Sequence, residues 1–328
     1  MPIRVAVDAM GGDYAPAATV EGAVRASADV EVLLVGRGSE LESELARHGE
    51  VSGVEIVDTP DVIGMDESPA TAVKSKPKSS IHVGLGLHRE GKADAFVSAG
   101  NTGAVMAASL FLLGRIEGVS RPAVIGYFPS PSGVSIVLDV GSNIDCKPEH
   151  LHQFARMGAA YAGAVMGKEH PSVALLNVGE EPGKGNELVK AAYTLLSGDS
   201  TLNFKGNIEG RDILMNAADV VVCDGFVGNV LLKFGESVAS VLPTMLGAAV
   251  KQLGIAEQGG GMFRDVLSAV KKQFDYEEFG GAPLLGIKGT VLIGHGGSSA
   301  RAVERMIRTA AEAASRDVEG AIARAMSA

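Results

Sequence analysis

Short apolar runs, each closed by a small polar residue and a glycine, recur along the chain and set its predicted plan. Val5-Ala6-Val7 leads into Asp8 and then Gly11-Gly12-Asp13, Phe96-Val97-Ser98 into Gly100-Asn101-Thr102-Gly103, and Val134 to Leu138 into Asp139, Gly141 and Asn143. Val173 to Leu176 leads into Asn177, Val220 to Val222 into Asp224-Gly225-Phe226, with Asn229 close behind, and Val291 to Ile293 into Gly294-His295-Gly296-Gly297-Ser298. A continuous β-branched run such as Val220 to Val222 suits a parallel strand covered on both faces. Helical patterns fill the intervals: 16–28, where Pro16 fits a first turn, then 39–47, 81–91, 103–113 and 148–166. An apolar helix starts near Gly228, and a long Ala-rich helix follows strand 290–293 to the C-terminus. Strand patterns at 122–128 and 134–139 are split by Pro129-Ser130-Pro131-Ser132-Gly133, which predicts a hairpin and so a mixed sheet.

This alternation predicts an α/β fold with a mixed, mostly parallel sheet, and a single domain over residues 1–328, with helices at about 228–280 protruding from it. In open α/β sheets ligands bind beyond the carboxyl ends of the strands. Six polar, glycine-bearing strand ends facing one sheet edge would form a cleft.

Composition narrows the function classes. Apolar residues make up 46% and charged residues 21%, as in a packed globular enzyme. The net charge of -10 argues against a nucleic-acid partner held through phosphate neutralisation. Cys146 and Cys223 are too few for a disulfide scaffold, and no Cys/His cluster has zinc-ligand spacing, so no metal is expected. The N-terminal Met-Pro-Ile-Arg enters a strand directly, which argues against a signal peptide and for the cytosol. No apolar run approaches the roughly 18 residues of a membrane span. Gly36-Arg37-Gly38 lacks the third glycine of a dinucleotide loop, Leu41 standing in its place, and the Gly179 to Lys184 segment lacks the Walker spacing.

Three further features have two readings each. Lys74, Lys76 and Lys78 concentrate cations on an acidic chain, either as a solvated face or as a docking site for an anion or acidic partner. The helix from Gly228 is apolar on nearly every side, which argues for deep burial or a subunit interface, with a kink at Pro243. A helix over 262–274 sets Phe263, Val266, Leu267, Val270 and Phe274 on one stripe flanked by Arg264, Lys271 and Lys272, suited to core packing or to an anionic bilayer surface. His150 and His152, two residues apart on a helix, do not share a face and are read as surface residues.

The motifs Val7 to Pro16, Ser98 to Ala104, Asp139 to Asn143, Asn177 to Glu181, Gly206 to Gly210, Asp224 to Asn229 and Gly294 to Gly296 together resemble the bacterial phosphate acyltransferases, the PlsX family of phospholipid synthesis. The resemblance implies a three-layer α/β/α fold similar to isocitrate and isopropylmalate dehydrogenases and to phosphate acetyltransferase. It implies transfer of an acyl group from acyl-[acyl carrier protein] to inorganic phosphate, without a cofactor. It further implies a homodimer associated peripherally with the cytoplasmic membrane, and a carrier protein that could dock at Lys74, Lys76 and Lys78.

The residues fit such chemistry on their own terms. Phosphate is an anionic nucleophile at neutral pH and a thiolate, with a thiol pKa of about 8.5, is a good leaving group, so positioning and charge stabilisation remain. Backbone N–H groups of the Gly100–Gly103 and Gly294–Gly297 loops could cradle phosphate, with Asn101, Thr102 and Ser298 as added donors. Asp8, Gly11, Gly12, Asp13, Ser98, Asp139, Gly141, Asn143, Asn177, Gly225, Phe226, Asn229 and Gly296 join these as candidate substrate-binding positions. His295 is the candidate for stabilising the oxyanion or handling the proton, or else is satisfied by backbone groups; Lys184 and Lys288 are candidate counter-charges. Carboxylates repel an anion, so Asp8, Asp139 and Asp224 are expected to orient His295, a lysine or loop N–H groups, with Asp224 alternatively a base. Rival readings are a phosphate acetyltransferase-like enzyme using acyl-coenzyme A and a membrane-recruited scaffold. A dehydrogenase would need a dinucleotide site and metal carboxylates that the chain does not display.

Overall fold

A computed structural model of the chain describes residues 2–130, 133–253, 265–266, 268–269 and 276–327. β1 (Arg4–Asp8), β2 (Glu31–Gly36) and β3 (Val54–Asp58) alternate with α1 (Ala17–Ala26) and α2 (Gly38–Leu45). α3 (Pro69–Ser75) and α4 (Ser80–Arg89) lead to β4 (Ala95–Ser98) and α5 (Thr102–Leu112). β5 (Ala123–Val124), β6 (Gly126–Ser130) and β7 (Gly133–Leu138) precede α6 (Pro148–Met166), β8 (Ser172–Leu176), α7 (Glu187–Gly198), β9 (Asn203–Ile208) and β10 (Val220–Val222). α8 (Gly225–Gln252), β11 (Ala282–Leu285), β12 (Thr290–Ile293), α9 (Ala300–Ser315) and α10 (Val318–Ser327) follow.

The α/β class is as expected, but the strands form two sheets rather than one. Among the described residues, seven strands run in the order β3-β2-β1-β4-β12-β11-β5, and five in the order β6-β7-β10-β8-β9. Three of the six polar strand ends therefore belong to each sheet: those of β1, β4 and β12 to the first, and those of β7, β8 and β10 to the second. The predicted strand 122–128 is where the chain changes sheets. Ala123 and Val124 pair with β11, whereas Gly126 to Ser130 form the expected antiparallel hairpin with β7, and the buried Ile125 stands between them. Parallel pairing of β1 and β12 with β4 puts their carboxyl ends on one edge, and β10 likewise aligns with β7 and β8.

The sheets share their apolar interior. Phe96 and Val291 pack in one cluster with Phe128, Val137 and Val221, while Leu285 and Ile116 join Ile136, Leu138 and Phe154 in another. Burial of this kind contributes about 25 cal/mol per Å2 of apolar surface, so neither sheet is free to part from the other cheaply.

Strands β3, β9 and β11 and helices α3 and α7 have no counterpart in the sequence reading. β9 carries Gly206 and Asn207, and β11 contains Pro283, residues that depress strand propensity; tertiary pairing overrides it. The Ala-rich closing helix is two helices, broken where Asp317 takes φ 50. Most of the predicted helix 262–274 lies outside the described residues.

α8 is not deeply buried within the chain. Of its 28 residues only Gly225 and Gly228 are buried, and it runs through Pro243 as one helix. By length and composition alone it could cross a membrane, contrary to the reading that no such segment exists. Its N-terminal glycines explain how it is held. A Cβ on Gly228 would sit 1.8 Å from the Asp139 carbonyl oxygen, and one on Gly225 would sit 2.7 Å from the Asn143 carbonyl oxygen. Gly228→Ala should therefore force α8 off the Asp139 turn, costing about 1–3 kcal/mol or more, seen as a melting temperature lower by about 2–4 °C or more for a chain of this length. A variant melting with the wild type would contradict this seating.

Candidate active site

Asp8 closes β1 and Ser98 closes β4, and the two meet: Ser98 Oγ donates to Asp8 Oδ2 at 2.6 Å and accepts from Gly100 N–H at 3.0 Å. Gly11 lies so close to Gly100 that a Cβ there would be 2.7 Å from the Gly100 nitrogen. The third strand end joins through Gly294 N–H, which donates to the Ser98 carbonyl at 2.8 Å, and through Asp13 N–H, which donates to the Gly296 carbonyl at 2.7 Å. The loops after β1, β4 and β12 thus form one cluster, holding Gly11, Gly12, Asp13, Gly100, Asn101, Thr102, His295, Gly296 and Ser298.

Several candidate donors turn out to be spent on building that cluster. Asn101 Oδ1 caps α5 by accepting from Ala104 N–H, and its Nδ2 is shared among the carbonyls of Gly64, Met65 and Glu67. Ser298 Oγ donates to the His295 carbonyl at 2.6 Å, and Ser98 is committed as described. These three shape the loops rather than offering a donor to a ligand. By contrast, the N–H groups of Gly12, Thr102, Gly103 and Gly296 have no partner among the described residues. Thr102 and Gly103 open the first turn of α5, whose dipole favours an anion there. His295 Nδ1 accepts from Gly297 N–H at 3.1 Å, which places the proton of the neutral ring on Nε2 and makes that nitrogen a donor.

The second sheet builds a separate cluster. Asp139 is fully buried and accepts from the N–H groups of Val124, Ser142 and Asn143 and from Asn143 Nδ2 at 2.6–3.2 Å. Asn143 Nδ2 also bonds the Pro122 carbonyl, and Gly141 lies against Asn229. Asp224 caps α8 by accepting from Val227 N–H at 2.9 Å. Asp8 and Asp139 thus hold loop N–H groups, whereas Asp224 holds a helix end. Phe226 is exposed on the first turn of α8. Asn177 bonds the Lys184 carbonyl and Val178 N–H, closing its own loop, while Asn207, absent from the candidates, ties that loop to β9 through Glu181.

The two lysine counter-charges are not brought to His295. Lys288 precedes β12 and its N–H donates to the Gly114 carbonyl, so it sits at the opposite end of that strand from His295. Lys184 folds over Gly179 within its own loop. Among the lysine trio, Lys76 is bound to Glu67 at 2.6 Å and to the Val62 carbonyl at 2.8 Å, whereas Lys74 and Lys78 are exposed. His150 is buried and accepts from Lys147 N–H, and His152 pairs with Asp199 at 2.7 Å, so neither is the plain surface residue expected.

An apolar groove of about 380 Å3 runs beside α8, lined by Phe128, Leu231, Leu232 and Phe234 of the second sheet and its helix and by His295 of the first cluster. Leu231 follows Asp224 by seven residues on α8, roughly 10 Å along the helix axis.

A family profile described as "Fatty acid synthesis protein" matches residues 3–320. The chain is 54% identical over 325 residues to the phosphate acyltransferase of Salinibacter ruber, covering 97% of this chain and 96% of the relative. It is 49% identical over 324 residues to that of Heliobacterium modesticaldum, covering 98% and 96%. The chain belongs to the phosphate acyltransferase family. In fold it is similar to a phosphotransacetylase from Streptococcus pyogenes (TM-score 0.63, 19% identity, 95% of this chain and 94% of that one). It is also similar to the EutD phosphotransacetylase of Staphylococcus aureus (TM-score 0.62, 16% identity, 95% and 94%). A 4-hydroxythreonine-4-phosphate dehydrogenase from Klebsiella pneumoniae shares the fold as well (TM-score 0.59, 14% identity, 95% and 98%).

For a member of this family the two thiols matter, because a reactive cysteine could carry an acyl group. Both lie against the Asp139 turn: Cys146 Sγ bonds the Asn143 carbonyl and Cys223 Sγ the Asp139 carbonyl. Burial pushes the Cys146 thiol up to about 11 and the Cys223 thiol well above its ordinary value, so neither is a thiolate at neutral pH.

Asp8 is the buried charge of the first cluster. Burial raises its pKa from 3.8 against the opposing pull of its hydrogen bonds. A raised folded-state value means the stability from the neutral form is full below 3.8 and lost as pH rises through the folded pKa. Asp8→Asn, which keeps the shape without the charge, should therefore gain in melting temperature relative to wild type as pH rises above 3.8. A gap that narrows as pH rises would contradict the assignment.

Proposed function

We propose that the protein transfers an acyl group from acyl-[acyl carrier protein] to inorganic phosphate, giving acyl phosphate and the free carrier thiol for phospholipid synthesis. The observation that carries this is that unpartnered N–H groups of three strand-end loops belong to one cluster with His295, which also lines an apolar groove. Phosphate sits against Gly12, Thr102, Gly103 and Gly296 N–H groups, which hold its charge and leave one oxygen to attack the thioester carbonyl. The carbonyl oxygen gains the charge of the tetrahedral intermediate, and His295 Nε2–H donates to it. Collapse re-forms the carbonyl, breaks the C–S bond and releases the thiolate, which takes a proton from solvent. With both cysteines protonated, direct attack by phosphate is favoured over an acyl-cysteine route.

Lys74 and Lys78 support a carrier protein as donor. They lie on α3 and the turn after it, and α3 packs on α5, whose first turn holds Thr102 and Gly103. An acidic carrier docked there would present its thioester beside the phosphate cradle. The same reading places the protein in the cytoplasm as a homodimer at the inner membrane face. The exposed Phe226, Val230, Val241 and Met245 of α8 supply apolar surface suited to such contacts.

Two experiments test the reading. His295→Ala should lower acyl phosphate formation, trapped with hydroxylamine, at least tenfold while the melting temperature holds; wild-type turnover would remove His295 from the mechanism. Lys74→Glu/Lys78→Glu should raise KM for an acyl-carrier donor about fivefold or more at low salt, with the difference shrinking as salt is added. An equal effect on an acyl-coenzyme A donor would favour coenzyme A chemistry without carrier docking.

A further inference from the structure

We infer that the groove beside α8 is the seat of the donor's hydrocarbon tail and that Gly235 sets how much chain it admits. This rests on the reading that an acyl group is moved to phosphate. The groove falls within the ~300–1,000 Å3 usual for small-molecule sites, and its walls are apolar: Phe128, Ile213, Leu232, Val238 and Phe279. The polar groups at its margin are turned away or paired. Tyr127 buries its hydroxyl against that of Tyr161 at 2.6 Å and stacks its ring on Phe279 at 5.1 Å, and Glu236 is bound to Lys233 at 2.9 Å. Such a space has nothing to offer a headgroup or a sugar. It is continuous with His295, so a thioester carbonyl held there directs its tail along α8.

Gly235 is the unusual residue in this wall. Glycine in a helix interior is disfavoured against alanine. No positive φ requires it here, since Gly235 is absent from the residues that adopt one. Nor does crowding exclude a Cβ, which would touch Phe128 Cε1 at an ordinary 3.4 Å. Space is what glycine provides at this position: a longer side chain would project between α8 and Phe128 and occupy the path of the tail.

The test compares octanoyl- and hexadecanoyl-carrier thioesters as donors for wild type, Gly235→Met and Leu232→Ala. Each buried methylene is worth about fourfold in kcat/KM. Gly235→Met should therefore lower the hexadecanoyl-to-octanoyl ratio at least about tenfold, and Leu232→Ala, which opens the wall, should raise the relative use of chains longer than hexadecanoyl. Ratios within twofold of wild type in both variants overturn the inference. Displacement of fluorescent cis-parinaric acid separates this from the reaction itself. If wild type makes no acyl phosphate yet binds the probe, and Gly235→Met weakens it tenfold, the tail site stands and the reaction reading falls. Should Gly235→Met fail to fold by circular dichroism, the Leu232→Ala ratio decides alone.

Discussion

Backbone-to-backbone approach closer than a side chain allows is the constraint from which the rest of this structure follows. The Gly228–Asp139 contact seats α8 on the second sheet, and the Gly11–Gly100 contact draws the loops after β1 and β4 together. Each contact places main-chain polar groups where side chains would otherwise separate them. That is why the site is built largely from N–H groups: close turns expose them, and a small anion needs several converging donors rather than one cation. The arrangement also explains a phosphate-handling centre with carboxylates nearby. Asp8 and Asp139 are buried behind the loops as acceptors, not presented to the ligand.

The division of labour among polar side chains follows from the same geometry. Asn101 spends its amide on three carbonyls of the 64–67 segment and its oxygen on a helix cap, so it locks a loop across the cradle's rim. Ser98 relays between Asp8 and Gly100 N–H. A buried donor left without a partner costs about 1–3 kcal/mol, so these bonds hold the loops in one shape before any ligand arrives. Preorganisation of that kind lets the few remaining open groups act without rearranging.

Much of this was legible in the sequence, and the failures have physical causes. Apolar runs closed by a polar residue and glycine marked the strand ends of both clusters, because buried parallel strands and tight turns leave strong local signatures. Their partition between two sheets was not legible: it depends on the change of sheet at Ile125, a single apolar residue inside an ordinary strand pattern. Sequence position suggested that Asn101, Ser98 and Ser298 face the ligand, yet side-chain direction is fixed only by tertiary partners. Lys288 looked close to His295 in sequence and is not, because β12 runs between them. The groove escaped notice since Phe128, Leu231 and Phe279 come from three distant segments and read singly as core residues.

The central claim is that loop N–H groups of the first sheet, not lysines, hold phosphate next to His295. Crystals soaked with inorganic phosphate test it most directly. The expected result is one phosphate within hydrogen-bond distance of Gly12, Thr102, Gly103 and Gly296 N–H groups and adjacent to the His295 ring. Phosphate held instead by Lys184 or at the Asp139 turn, with the first cluster empty at saturating concentration, would contradict the account.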